Sequence, residues 1–196
     1  MRNFIASLLV GFWVAGCATG YTLVSPNSTV AVSKGSMKVR PAASWNKQST
    51  SYGTIAQEEN WTRNGPLLDN ITFIGGLKDG EAIAKQKAKD DRKVPVFHAS
   101  MNPQDLVSMV EAYYRIKMNV TVFETTGVTP ATLGGKPAIQ YDYNYVAGDD
   151  VKRRGRSMLA INDGRLYMMS LDGTASHYFD AALPEFEEIV KSAVIS

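Results

Sequence analysis

The chain has 196 residues, of which 44% are hydrophobic, 20% charged and 10% aromatic. That supports one ordinary domain with a real core plus a short appendage; the aromatic content excludes disorder, and 16 Gly with a single Cys exclude collagen-like and disulfide-scaffold chains. Twenty-one Lys and Arg against nineteen Asp and Glu leave a net charge of +2, which argues against a nucleic-acid partner, because such binders concentrate far more positive charge.

Residues 1–16 have the layout of a secretory signal. Arg2 supplies a short positive segment, and residues 4–14 form an apolar stretch interrupted only by Ser7 and Gly11, too short to span a bilayer stably. Ala15 and Gly16 then precede Cys17, the only cysteine. The run Val14-Ala15-Gly16-Cys17 resembles the lipobox of bacterial lipoproteins. That resemblance implies removal of residues 1–16, transfer of a diacylglycerol to the Cys17 thiol, and a membrane partner held through that lipid. The chemistry agrees: small side chains let an extended backbone enter a peptidase, only a thiolate gives a stable thioether, and a lone cysteine in an exported chain has no internal disulfide partner. An ordinary signal with a chance cysteine, or a buried N-terminal helix, is the bland alternative. Residue 18 is Ala rather than Asp, which by the same resemblance points to an outer-membrane anchor facing the periplasm of a Gram-negative host.

Residues 17–35, rich in Ser, Thr, Gly and Ala and broken by Pro26, read as the lipidated Cys and a tether with an r.m.s. reach of about 20–25 Å, with residues 29–32 able to pair as an edge strand. Residues 36–196 read as a single α+β domain. Its first half offers weak strands over 37–40, 52–57 and 68–74, broken by Asn64-Gly65 and Gly75-Gly76. The mixed-charge stretch of Lys85, Lys87, Lys89, Asp90, Asp91, Arg92 and Lys93 reads as a solvated face.

The clearest helix starts at Asn102, a good N-cap followed by Pro103 and by Asp105 three residues on. Leu106, Met109, Val110, Tyr113 and Ile116 form its apolar face, and Arg115 and Lys117 suit the negative end of its dipole. A strand over 120–125 precedes a loop punctuated by Pro130, Gly134, Gly135 and Pro137. Residues 138–146 alternate cleanly, with Ile139, Tyr141, Tyr143 and Tyr145 on one side. Strands over 156–161 and 166–171 flank Asn162-Asp163-Gly164-Arg165, a tight hairpin turn. Pro184 opens a terminal helix over 184–194, with a short helix over 176–182 before it. Hairpins in series with helices gathered at two points mean α+β, not alternating βαβ.

The order of a strand, Leu133-Gly134-Gly135-Lys136-Pro137-Ala138, an alternating strand, a basic strand, a Leu166-Tyr167 strand and then Phe179, Phe186 and Ser192 in terminal helices resembles the PsbP-like fold. That resemblance implies a mainly antiparallel sheet sandwiched by helices, and a family whose known members mostly bind proteins. It is clearest from Val96 onward, whereas residues 37–77, with Trp45 and Trp61, do not align with it.

Catalytic signals are thin. Ser170, His177 and Asp172 supply the residue types of a hydrolytic triad, but no Gly-x-Ser-x-Gly elbow surrounds Ser170. His98 and His177 are the two histidines, His177 with Asp180 is not a zinc set, and Asp149-Asp150 lacks the alternating oxygens of a calcium loop. No cofactor is expected. Lys152, Arg153, Arg154 and Arg156 read as a basic turn between strands, able to touch anionic headgroups or an acidic partner, or simply to protect a sheet edge. The function expected is a non-enzymatic, lipid-anchored binding or assembly module of the cell envelope, with an envelope protein as partner. The alternatives are a small-ligand carrier lined by Tyr141, Tyr143 and Tyr145 or by Tyr113-Tyr114, whose bland reading is core, and a hydrolase around His177.

Overall fold

The computed structural model describes residues 20–49, 55–86 and 92–196. The signal segment, Cys17 and half of the strand expected over 52–57 lie outside the described residues, and the described half, residues 55–57, is a turn before a strand that starts at Glu58. Eleven strands are described: β1 (Tyr21–Val24), β2 (Val30–Val32), β3 (Met37–Val39), β4 (Trp45–Gln48), β5 (Glu58–Thr62), β6 (Asp69–Lys78), β7 (Val122–Leu133), β8 (Lys136–Val146), β9 (Lys152–Asn162), β10 (Arg165–Thr174) and β11 (Val194–Ile195). The helices are α1 (Pro103–Lys117) and α2 (Tyr178–Ser192).

Eight strands form one sheet in the order β1-β4-β5-β6-β10-β9-β8-β7, with antiparallel neighbours throughout. A three-stranded sheet, β11-β3-β2, joins α2 over one face, and α1 lies on the other. The period-two alternation of β10 shows how one strand serves both layers. Tyr167, Met169 and Leu171 enter the core under α2, while Leu166 and Met168 enter the core under α1. This is the expected α+β class: a mainly antiparallel sheet between helices.

Local chemistry explains α1. The Asn102 side chain accepts a hydrogen bond from the Asp105 N–H at 3.0 Å, and the Asp105 carboxylate accepts one from the Asn102 N–H at 3.1 Å. This reciprocal cap is worth about 1 kcal/mol. The helix ends where expected, at Lys117, with Arg115 held to Glu111 one turn back.

Four expectations are corrected. Pro184 does not open the last helix; α2 begins six residues earlier, at Tyr178, and runs through it. Phe179, Ala182, Phe186 and Ile189 stay buried on one stripe, and that burial outweighs the hydrogen bond Pro184 cannot donate. The loop expected around Pro130 is part of the 12-residue β7, an edge strand whose outer side asks for no N–H from proline. Gly75-Gly76 does not break β6: the register against β10 slips by one residue there, and Gly76, with φ of 72°, takes up the bulge. Finally, the expected tether is largely part of the domain. β1 pairs with β4 from Tyr21, and β2 pairs with β3 as the expected edge-strand reading of residues 29–32 allowed.

Candidate functional site

The face of the large sheet beneath α1 is polar where it should by position be core. Antiparallel register places Asn60, Thr72, Ser170, Ser157 and Tyr141 in one cross-strand row. The next row holds Asn70, Asp172, Gly155 and Tyr143. At Gly155 a Cβ would lie 2.1 Å from Cζ of Tyr143, so the missing side chain is what lets that ring lie flat across β9.

Asp172 is the centre of this face. It is buried, and its two oxygens accept from the Tyr114 hydroxyl at 3.1 Å and the Tyr145 hydroxyl at 2.9 Å. The Tyr143 hydroxyl donates to that of Tyr114 at 2.7 Å and lies 2.8 Å from Ser170 Oγ, which is 2.6 Å from Ser157 Oγ. Burial pushes the Asp172 carboxyl above its ordinary value, with the phenol donors opposing. Burial likewise raises Tyr114, Tyr143 and Tyr145 well above 10, reinforced by the Asp172 charge, so these phenols stay protonated donors.

A second buried carboxylate, Glu58, accepts from Lys117 Nζ, from the Tyr113 hydroxyl at 3.2 Å and from Asn60 Nδ2 at 2.7 Å, all through Oε1. Its other oxygen has no hydrogen-bond partner among the described residues. Beyond the end of α1 the amides continue the polar surface: Gln48 donates to Asn70 at 2.9 Å, Asn70 to Thr72 at 2.9 Å, and Thr72 to Asn60 at 2.8 Å.

Between these amides and the end of α1 lies a cleft of about 130 Å³, lined by Gln48, Asn70, Leu67, Lys117, Met118 and, at its base, Asp172. Small-molecule pockets run to roughly 300–1,000 Å³, so this cleft takes a fragment or a side chain rather than a whole metabolite. Chemically it offers a hydrogen-bond acceptor in Asp172, a cation in Lys117 and a row of amides.

The structure also rewrites the basic cluster. Lys152, Arg153, Arg154 and Arg156 do not sit in a turn; they belong to β9, paired against Val146, Tyr145, Asn144 and Asp142 of β8. The strand extends this far because its arginines find partners on both faces. Arg156 grips Asp142 with two bonds of 2.6 and 2.8 Å and reaches Glu187 of α2 at 2.6 Å. Arg154 reaches Asp180 of α2 at 2.8 Å and lies over the Phe179 ring. Arg153, on the opposite face and buried, bonds both oxygens of Asp149 and the Leu67 carbonyl. That guanidinium holds the Asp149 carboxyl down at about 2. Arg154 and Arg156 therefore fasten α2 to the sheet, and Lys152 is the exposed member. Lys152, Arg153 and Arg154 also line a shallow groove of about 330 Å³ with Glu124 and Asn144.

The other candidates are dispersed. Ser170 and Asp172 are spent within the phenol network under α1, while His177 is exposed at the start of α2 with its ring edge-on to Tyr178. The structure does not bring His177 to either. His98 is exposed beside Asp79. Tyr141, Tyr143 and Tyr145 are core, as their alternation suggested, although Tyr145 also borders the groove beside Arg153; Tyr113 and Tyr114 border the cleft. Among the described residues no three His, Cys, Asp or Glu side chains are grouped to hold a metal ion, and no helix is long and apolar enough to cross a membrane. Sequence reading missed Glu58, Lys117 and the amide row. The only local hint was the polar alternation of Glu58, Asn60 and Thr62 along β5.

No family model matches the chain, and no curated protein matches its sequence. Among solved structures it is similar to the solution structure of cyanobacterial PsbP (CyanoP) from Synechocystis sp. PCC 6803, with 13% identity, a TM-score of 0.57, and coverage of 92% of this chain and 96% of that chain. The fold is PsbP-like. A looser likeness, at 12% identity and a TM-score of 0.37 over 93% of this chain and 87% of the other, is to LpqN, a protein involved in cell-envelope biogenesis of Mycobacterium tuberculosis. The PsbP-like likeness covers far more of the chain than the part from Val96 onward where the sequence resemblance is clearest; residues 37–77, with Trp45 and Trp61, did not align by sequence. There the two tryptophans are buried under α2, Trp61 edge-on to Phe73 at 4.8 Å.

Proposed function

We propose that the protein is a lipid-anchored component of the bacterial cell envelope, held through Cys17 at the outer membrane, whose PsbP-like domain acts as a non-enzymatic binding or assembly module. The observation that carries this reading is one of spacing: Val14-Ala15-Gly16-Cys17 ends four residues before Tyr21, where the domain begins. A lipid on Cys17 makes the domain a membrane-surface object. The envelope partner docks through the surface, and the exposed Lys152 at the groove it borders supplies the contact for an acidic group, because Arg153, Arg154 and Arg156 are engaged with Asp149, Asp180 and Asp142.

The test is Cys17→Ser in the full chain. The native protein should carry a diacylglycerol by mass spectrometry and partition into detergent, whereas the variant should accumulate uncut or leave the membrane fraction. A variant still cut after residue 16 and extracted only by detergent refutes the anchor. A small-ligand reading has one observation in its favour, the cleft beside Tyr113 and Tyr114. A bound fragment seen by native mass spectrometry, and lost in Lys117→Ala, would support it.

A further inference from the structure

We infer that the α1 side of the β1 edge, carrying Tyr21 and Leu23, is the face that lies against the phospholipid surface. This rests on the Cys17 anchor proposed above and adds the orientation in which the domain is held.

The first argument is length. Three residues separate Cys17 from Tyr21, and the four Cα-to-Cα steps between them span at most about 14 Å even when fully extended. A domain of this size has a radius of gyration of about 16 Å. A leash shorter than that radius cannot turn the far side of the domain to the membrane; only surface around β1 is within reach.

The second argument is what that surface carries. β1 is the outermost strand of the large sheet, and among the described residues no strand pairs with its outer side. Val24 enters the core under α2, so Leu23 and Tyr21, one and three positions before it in the alternation, point to the α1 side. Leu23 is 65% exposed and Tyr21 43%. Tyr21 pairs with Gln48, and Gln48 lines the same cleft as Leu67, itself 61% exposed. Two exposed large apolar side chains thus stand together on the β1 edge, beside the point where the chain comes from its anchor, and a third, Leu67, borders the cleft next to it on the same face.

The third argument compares the two sheet edges. β7, the opposite edge, has the usual defences against pairing: a charge at Glu124, a register slip beside Gly127, and Pro130. β1 has none, reading Tyr-Thr-Leu-Val. An uncharged edge with an aromatic ring and a protruding leucine suits the headgroup region, where water and polar headgroups satisfy the free backbone groups and the amphipathic tyrosine has its preferred depth.

The experiment uses the full chain, acylated in its bacterial host and reconstituted into vesicles of phosphatidylglycerol and brominated phosphatidylcholine. Leu23→Trp is compared with Val194→Trp, a control at an equally exposed position on the small sheet over the opposite face. Trp45 and Trp61 are buried and give the same background in both. Leu23→Trp emission should lose most of its added intensity to bromine, and Val194→Trp should retain its own. Equal quenching, in protein whose Cys17 lipid is confirmed by mass spectrometry, overturns the orientation and leaves the anchor standing. Absence of any lipid on Cys17 overturns both. An unquenched Leu23→Trp in a detergent-solubilised dimer that Leu23→Asp splits would assign the face to a second copy and likewise overturn the proposal.

Discussion

Two buried phenols differ in their partners and so give a controlled test of the network under α1. Tyr114 and Tyr141 are both fully packed in the same core, 2% and 0% exposed. The Tyr114 hydroxyl donates to Asp172, accepts from Tyr143, and lies 3.2 Å from Ser170 Oγ. The Tyr141 hydroxyl has no hydrogen-bond partner among the described residues. Converting either residue to Phe removes one buried oxygen and leaves the ring. Tyr114→Phe strips the buried Asp172 carboxylate of one of its two phenol donors, which costs about 2–3 kcal/mol. For a domain of this length each kcal/mol moves Tm by about 2–4 °C, so the expected fall is roughly 4–12 °C. Tyr141→Phe removes a hydroxyl that gains nothing in the folded state, so stability should stay within about 0.5 kcal/mol or rise. Urea unfolding of both variants, followed by circular dichroism, measures the difference. Equal losses would mean that the network contributes nothing beyond burial of its rings, and the account of Asp172 as its centre would fall.

Two further outcomes follow from the same face. Gly155→Ala drives a methyl into the Tyr143 ring and should destabilise by about 3 kcal/mol or more, whereas in a Tyr143→Ala background the same change should cost under about 1 kcal/mol; a loss unchanged by that background would place the clash elsewhere. Asp172 should show itself in the pH dependence, because burial raises its folded value above the ordinary 3.8 and the folded chain holds its proton more tightly. The wild type should therefore lose stability relative to Asp172→Asn as pH rises from about 4 through the raised value, while the opposite contribution of Asp149, lost only between about 4 and 2, stays constant over that range. A wild-type-minus-variant difference in unfolding free energy that does not change between pH 4 and 8 would refute the buried-carboxylate reading.

The parts of the fold that were legible in the sequence are those set by neighbours along the chain. The cap of α1 needs only Asn102, Pro103 and Asp105, three or fewer positions apart. The alternation of β8 and the Asp163-Gly164 turn are equally local. Misreadings came where a distant contact overrules a local signal. Pro184 breaks helices in isolation, but the stripe through Phe179, Phe186 and Ile189 is held by the sheet beneath it. The arginines of β9 look like a solvated turn until their acids are seen. Asp142 and Glu187 reach Arg156 from 14 and 31 residues away, and Asp180 reaches Arg154 from 26. No window of sequence contains those pairs.

The site was harder to read for the same reason, and its placement in the fold explains why it is polar at all. Ser170 and Asp172 alternate with Met169 and Leu171 along β10, so the sequence shows a strand with one wet side; only the cross-strand register brings Asn70, Asn60 and Thr72 alongside. The two faces of the sheet are then unequal. The side under α2 is closed by Trp45, Trp61, Phe73 and Phe186, and its two buried carboxylates are spent locally, Glu59 on the Trp61 indole and Asp69 on the Thr62 hydroxyl. The side under α1 buries two carboxylates and then continues, past the end of that helix, as an open row of amides. Burying Asp172 and Glu58 costs stability that an apolar pair in the same places would not. That cost falls on the side of the sheet where Tyr21 and Leu23 also point, so the polar cleft and the proposed membrane-facing corner share one surface. Held by a leash of three residues, the domain would keep that surface within reach of the bilayer, and would leave α2 and the small sheet turned toward the partner.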